Sequence, residues 1–199
     1  LDKEIKLINH NNFYLSGTMV GAGQVSFDAG DTTSNFDEKK LLNNLQNIKT
    51  FNFQGTTKCP GLVHKDIWLK VGGWSEEFSP TGGDDTDFAM KLWKSDIRIF
   101  KGVGGSLAYH FGSITTRKKD KKLFTYLGSR GNKIFLKKWG MSINFFEKFY
   151  LKSGLDSQKK LIFNEYTGPL KEPKKNFLFY YELFKSKALF FYLYLINFR

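Results

Sequence analysis

A chain of 199 residues with 41% apolar content can bury one substantial core, and at this size two independent domains are not expected. Its 21 Phe and 19 Gly exclude the aromatic-poor composition of a disordered chain and suit a packed α/β protein with many tight turns. The formal net charge of +12 calls for an anionic partner, whether nucleic acid, anionic lipid or a phosphorylated small molecule, and charge alone does not choose among them.

In chain order, the polar and Asn-rich opening predicts a strand over 13–20 and a short amphipathic helix over 38–48. Leu41, Leu42, Leu45 and Ile48 stand at helical spacing there, and a long polar loop, 21–35, lies between the two. The charged residues Asp2, Lys3, Glu4 and Lys6 give no secretory signal pattern. The single Cys59 has no second thiol for a disulfide or a zinc pair, which points to a reducing, cytoplasmic setting.

From residue 59 the signals sharpen. A short apolar run at 61–63 precedes a helix over 65–71 that Gly72-Gly73 should stop. A turn carrying Trp74, Glu76, Glu77 and Phe78 follows, then a helix on which Phe88, Ala89, Leu92 and Trp93 share one face. Two strands are expected next, over 97–103 and 106–111.

Beyond residue 113 the chain is basic and aromatic. Arg117, Lys118 and Lys119 open this region, and Lys133, Lys137 and Lys138 continue the charge along a helical stretch ending at Trp139-Gly140. Phe124, Tyr126, Phe135 and Trp139 read as its buried side. Interleaved Lys, Arg and aromatic residues are also the footprint of a nucleic-acid surface, but no helix-turn-helix, zinc-finger or RRM signature is present, and nucleic acid is not expected as a partner. The terminal stretch 177–199 concentrates Phe, Tyr and Leu. Its apolar run, 188–196, is far shorter than the ~20 residues that span a bilayer, so it should lie in a membrane interface or dock on the core.

The chemistry concentrates in Gly82-Gly83-Asp84-Asp85-Thr86-Asp87. A Gly-Gly turn should set these acids at a helix N-terminus, where free N–H groups and the helix dipole favour carboxylates. The plainer reading is a cap formed by Asp84 with Asp87 three residues on. Three carboxylates within four residues repel one another, however, and a cap needs one or two. A metal, a protonated substrate group or a neighbouring Lys or Arg should compensate them, and a carboxylate held there can act as a general base on a substrate hydroxyl.

In order and spacing, the segment from about 60 to 140 resembles the family 2 glycosyltransferases of the GT-A fold. Gly72-Gly73-Trp74 is similar to the family's Gly-Gly-aromatic turn, and Ser75-Glu76-Glu77-Phe78 to its acidic, Phe-containing segment. Asp84-Asp85 opening a helix with Phe88 and Leu92 is similar to its acidic pair. His110 followed by Gly112, Ser113, Thr115 and Thr116 is similar to its strand-His-hydroxyl loop, and Lys138-Trp139-Gly140 to its closing Lys-Trp-Gly.

The resemblance implies an α/β fold: a partial, Rossmann-like GT-A domain over 1–140, with a mixed sheet and flanking helices, and a helical, aromatic and basic extension over 141–199. It implies inverting transfer of a sugar from a nucleoside-diphosphate donor to a glycan, lipid-linked or protein acceptor. Asp85 would be the base, Asp84 a support for the acceptor, and Gly83 and Asp87 further parts of that site. Trp74 would be a sugar platform, although an aromatic beside a Gly-Gly turn also reads as core. His110 would reach a divalent cation (Mg2+ or Mn2+) or the diphosphate, although a lone His between Tyr109 and Phe111 also reads as structural. Ser113, Thr115 and Arg117 would line the diphosphate. Peripheral contact with the cytoplasmic face of a membrane through 177–199 would suit such an enzyme.

One departure matters. The family's donor half ends with an apolar strand running into Asp-x-Asp. Here Asp85-Thr86-Asp87 follows a loop, and Asp28-Ala29-Gly30-Asp31 has the wrong spacing. The expectation is an acceptor-side piece of a larger enzyme, with weak or no turnover alone. A basic nucleic-acid-binding or membrane-binding module without catalysis is the alternative.

Overall fold

A computed structural model describes residues 2–55, 57, 60–80, 82–112, 121–155 and 161–196. The chain is a mixed α/β protein built on a four-stranded open sheet of order β2-β4-β1-β3. The central strand β1, Phe13–Gly21, is buried along nearly its whole length. It runs parallel to β4, Ile99–His110, with Phe13 opposite Ile99 and Gly21 opposite His110. The short β3, Gly61–Val63, pairs antiparallel on its other side, and β2, Phe53–Gln54, pairs antiparallel with β4. A small ribbon of β5, Gly154–Leu155, and β6, Leu161–Ile162, stands apart from this sheet.

Alternation along the strands sends side chains to two covers. On one side Phe13, Leu15 and Ile99 meet Ile5 and Ile8 of helix α1, Asp2–Ile8. On the other, Tyr14 and Phe100 enter the main core with Phe78, Phe88, Leu92, Trp93 and Phe135. That core is held by helices α3, Lys65–Val71, α4, Asp84–Lys94, and α5, Lys121–Trp139. Phe146, Leu151 and Leu170 belong to the same cluster, so residues on both sides of position 140 share one core. Phe146 leads from α6, Ile143–Phe146, into a π-turn over Glu147–Leu151, and the chain closes with α7, Phe177–Ile196.

Several expected elements form where the sequence places them. Helix α3 ends on Gly72, whose φ of 74° is the left-handed geometry that glycine adopts at little cost. Helix α2, Glu38–Asn44, and the 3-10 turn Leu45–Asn47 fill the predicted helical stretch, but neither buries a residue, so the spacing of Leu41, Leu42, Leu45 and Ile48 marks a surface helix. The loop after β1 is organised rather than open. The Tyr109 hydroxyl accepts from the Ala29 amide at 2.9 Å and donates to the Gly30 carbonyl at 2.7 Å, while Phe36 packs on Tyr109 and Phe111.

Two readings change. The expected strands 97–103 and 106–111 are one strand, β4, with an irregularity: Gly17 pairs with Val103, but the next residue, Thr18, pairs with Leu107. Gly104, Gly105 and Ser106 are looped out of the ladder as a bulge, and their glycines gave the impression of a strand end. Along α5, Phe135 is buried and Trp139 packs against the core, but Tyr126 is exposed. Phe124, expected on the same side, lies outside the described side chains.

Candidate functional site

Helix α4 begins on the Gly82-Gly83 turn, and both glycines have left-handed φ, 110° and 92°. Gly83 is the N-cap and offers no side-chain cap bond. Asp84, expected as the cap, is instead the first helical residue and turns back to accept from the Gly82 amide at 2.9 Å. The turn is clamped from above by α5: a Cβ on Gly131 would stand 1.5 Å from the Gly82 carbonyl oxygen, and a Cβ on Gly83 would meet Ile143 and Phe78. Asp84, Asp85 and Asp87 all lie in the helix's first turn, where the dipole favours their charge.

Their environments diverge sharply. Asp87 is fully buried and saturated with donors. Ser75 Oγ donates to it at 2.6 Å and Trp139 Nε1 at 2.7 Å, and Lys138 Nζ lies 3.0 Å away. Lys91, one helical turn on, adds a longer contact at 3.9 Å. Lys138 also bonds Glu77 at 2.6 Å. Burial opposes the Lys138 charge, but hydrogen bonds and attraction from Glu77 and Asp87 prevail and hold its pKa above the ordinary lysine value. Lys91 is lowered, first by burial, against the pull of Asp87 and with the repulsion of Lys138.

Of the compensating groups expected, the described residues supply lysine, and it meets Asp87. The Asp87 carboxylate is enclosed, and the contacts it makes within the chain are structural ones. The expected Lys-Trp-Gly segment supplies both Lys138 and Trp139 to that single carboxylate.

Asp84 and Asp85 are half-buried. Phe88 is four residues beyond Asp84 and three beyond Asp85, so all three share a helix face. The Phe88 ring lies in a cleft of about 270 Å3 lined by Tyr14, Leu62, Lys65, Trp68 and Trp74. That is close to the lower end of the ~300–1,000 Å3 of small-molecule sites. Trp74 stacks on Phe88 with ring planes 3° apart and approaches Trp68 at 6.3 Å between centroids. Gly61 belongs to the same wall, because a Cβ there would collide with the Tyr14 hydroxyl. The sequence pointed to Trp74 but not to Tyr14, Lys65 or Trp68. The signal for them was the Gly-bounded apolar run feeding a helix that carries a Trp, a pattern that reads equally as core.

His110 is not part of this cleft. Tyr14 pairs with Phe100 and Gly21 with His110, so seven residues of extended β1, about 23 Å at 3.3 Å per residue, separate their levels. His110 Nδ1 donates to the Ala22 carbonyl, which ties the end of β4 to the following loop. Among the described residues no three His, Cys, Asp or Glu side chains converge to hold a metal. His110 would be a single donor to a divalent cation, and its Nδ1 is engaged by the Ala22 carbonyl. The expected diphosphate lining at Ser113, Thr115 and Arg117 lies outside the described residues.

A second and larger cavity, about 600 Å3, runs between α5, α6 and α7. Ser129, Asn132, Lys133 and Asn144 give it a polar wall, and Leu136, Ile143 and Leu189 an apolar one. Ile143 is the residue that backs Gly83, so this cavity and the acidic turn share a side chain. Comparison with protein-family models, with curated proteins and with solved structures finds no match to this chain.

Proposed function

We propose that the chain is the acceptor-side part of a family 2, GT-A-type glycosyltransferase, in which Asp85 deprotonates an acceptor hydroxyl as it attacks the sugar of a nucleoside-diphosphate donor. One observation carries the reading: two half-buried carboxylates in the first turn of α4, set on a closely packed Gly-Gly turn one helical turn from an aromatic-walled cleft. Aromatic faces receive the apolar C–H face of a sugar ring, and a carboxylate in hydrogen-bond reach of a hydroxyl accepts its proton during attack. Asp84, which accepts from the Gly82 amide, would hold the turn, and Asp85, the second member of the acidic pair, takes the proton-transfer role that the family resemblance gives that position. The burial of Asp87 sets it apart from this pair, because its enclosed carboxylate is bonded by Ser75, Lys138 and Trp139.

The alternative of a nucleic-acid surface draws less support. Lys91, Arg98, Lys101, Arg130 and Lys138 are engaged by internal carboxylates or carbonyls.

The reading is tested by transfer from a panel of nucleoside-diphosphate sugars, assayed in the natively encoded protein beside Asp85→Asn. A general base contributes roughly 10²–10⁴ in rate, so the variant is expected to lose at least about a hundredfold while keeping acceptor binding. Transfer retained in Asp85→Asn removes that residue from its role. Absence of both transfer and glycan binding in the wild type removes the reading itself.

A further inference from the structure

Helix α7 presents an apolar stripe that no described residue covers. Its inner side docks: Phe179 is buried against Phe145 and Phe149, with centroids 5.1 and 5.3 Å away, and Ser186 Oγ lies 3.2 Å from Ser142 Oγ. The outer side holds Phe177, Tyr180, Tyr181, Phe184, Phe191, Tyr192 and Leu195, all exposed. At 3.6 residues per turn these seven fall within about 60° of a single line along the helix. Phe177 and Tyr181 stack along it. An exposed run of large aromatic and aliphatic side chains at helical spacing is the mark of an interaction surface.

The placement of charge identifies the partner. Lys185 and Lys187 are the only lysines of α7, and both are exposed. Helical geometry sets them about 80° to either side of the stripe. The one acid of α7, Glu182, lies toward the docked side and pairs with Lys185 at 3.9 Å. Lys185 Nζ also sits 4.4 Å from the Tyr181 ring centre, so this cation borders the aromatic stripe directly. Two copies meeting through this stripe would bring the same lysines together across a two-fold interface. A surface of lipid phosphates over acyl chains accepts both features at once: the lysine stems run along the apolar boundary while their ammonium groups reach the phosphates.

We propose that α7 docks the protein on the interface of an anionic phospholipid bilayer, its axis in the membrane plane, with the aromatic stripe at the acyl-headgroup boundary and Lys185 and Lys187 on lipid phosphates. This goes beyond the glycosyl-transfer reading and does not depend on it. Flotation of the 199-residue protein tests it, using vesicles of phosphatidylcholine alone and of phosphatidylcholine mixed with phosphatidylglycerol.

The wild type is expected to float with the mixed vesicles and at least about tenfold less with phosphatidylcholine alone. Replacing two stripe aromatics, as F184S/F191S, should weaken association with mixed vesicles by about tenfold or more. K185Q/K187Q should weaken it by about fivefold per lysine, with a reduced dependence on salt. All four side chains are exposed, so both variants should keep the wild-type circular dichroism spectrum and unfolding midpoint. The proposal is overturned if the wild type does not float, or if F184S/F191S floats as the wild type does. It is also overturned if the protein forms a concentration-dependent dimer that F184S/F191S dissolves while neither protein binds lipid.

Discussion

Asp87 shows how a single residue's surroundings decide between chemistry and structure. In sequence it is one of three equivalent acids, and in the fold it is the most enclosed of them, with Ser75, Lys138 and Trp139 all bonded to its two oxygens. Removing one partner of a buried pair strands the other charge, which costs roughly 3–5 kcal/mol. Lys138→Met is therefore expected to lower stability in urea by about 3 kcal/mol. The pH dependence has a definite sign. Because the folded-state pKa of Lys138 lies above the ordinary 10.5, its contribution is whole below that value and is lost as pH rises through the raised one. The stability gap between wild type and Lys138→Met should thus stay constant through neutral pH and narrow only in strong alkali. Lys91, lowered by burial, works in the opposite direction: its protonation opposes folding, and that opposition fades as the pH climbs. A gap that closed between pH 5 and 8 would show that Lys138 is not the partner that matters.

At the scale of elements, the contact between α5 and the Gly82-Gly83 turn sets the position of the acidic pair. Gly131 lets the helix backbone rest against the Gly82 carbonyl, where a methyl group would stand 1.5 Å from oxygen. Gly131→Ala must push α5 off the turn, at about 2–3 kcal/mol, the upper range of overpacking costs. Spectral changes in Trp139, which bonds Asp87 across the same contact, should accompany the loss of stability. Arg130 strengthens the junction by donating to the Ser79 and Glu77 carbonyls.

The elements themselves were largely legible from periodicity and glycine punctuation: β1, β3, α3, α4, α5 and α7 all lie where the pattern of apolar residues set them. What sequence could not show were the effects of distant pairing. β2 is two residues long and exists because Phe53 lies across the side-chain-free Gly102. The burial of Asp87 depends on residues some fifty positions away. The tail was left open between interface and core; α7 docks one face on α6 and leaves the other exposed, a matter of which residues its neighbours cover.

The whole molecule is bound by aromatic packing that ignores the boundary drawn at residue 140. Trp93 of α4 meets Phe146 at 6.5 Å and Tyr150 at 5.3 Å, and Phe146 is fully buried. Phe146→Ala is expected to cost about 3–5 kcal/mol and to shift helix content and tryptophan fluorescence together, as one cooperative transition requires. Two separated transitions would mean that the C-terminal segment unfolds on its own. Among the described residues no helix is long and apolar enough to cross a membrane.

The bulge in β4 sets the face of the sheet on which its later side chains emerge. Side chains alternate across a sheet, so an insertion of three residues, an odd number, reverses the phase of everything that follows. Tyr109 pairs with Val20 and not with the residue that unbroken alternation would give it, so it emerges on the side of Tyr14, Phe100 and α4. The loop it anchors, through Ala29 and Gly30, is thereby carried to the face of the sheet that bears the acidic turn. Deleting Gly105 alone would make the insertion even, rotate Tyr109 toward α1 and unhook the loop, detectable as faster proteolysis within residues 21–36. Three unremarkable small residues act as a parity switch that decides which of the two faces receives the long polar loop.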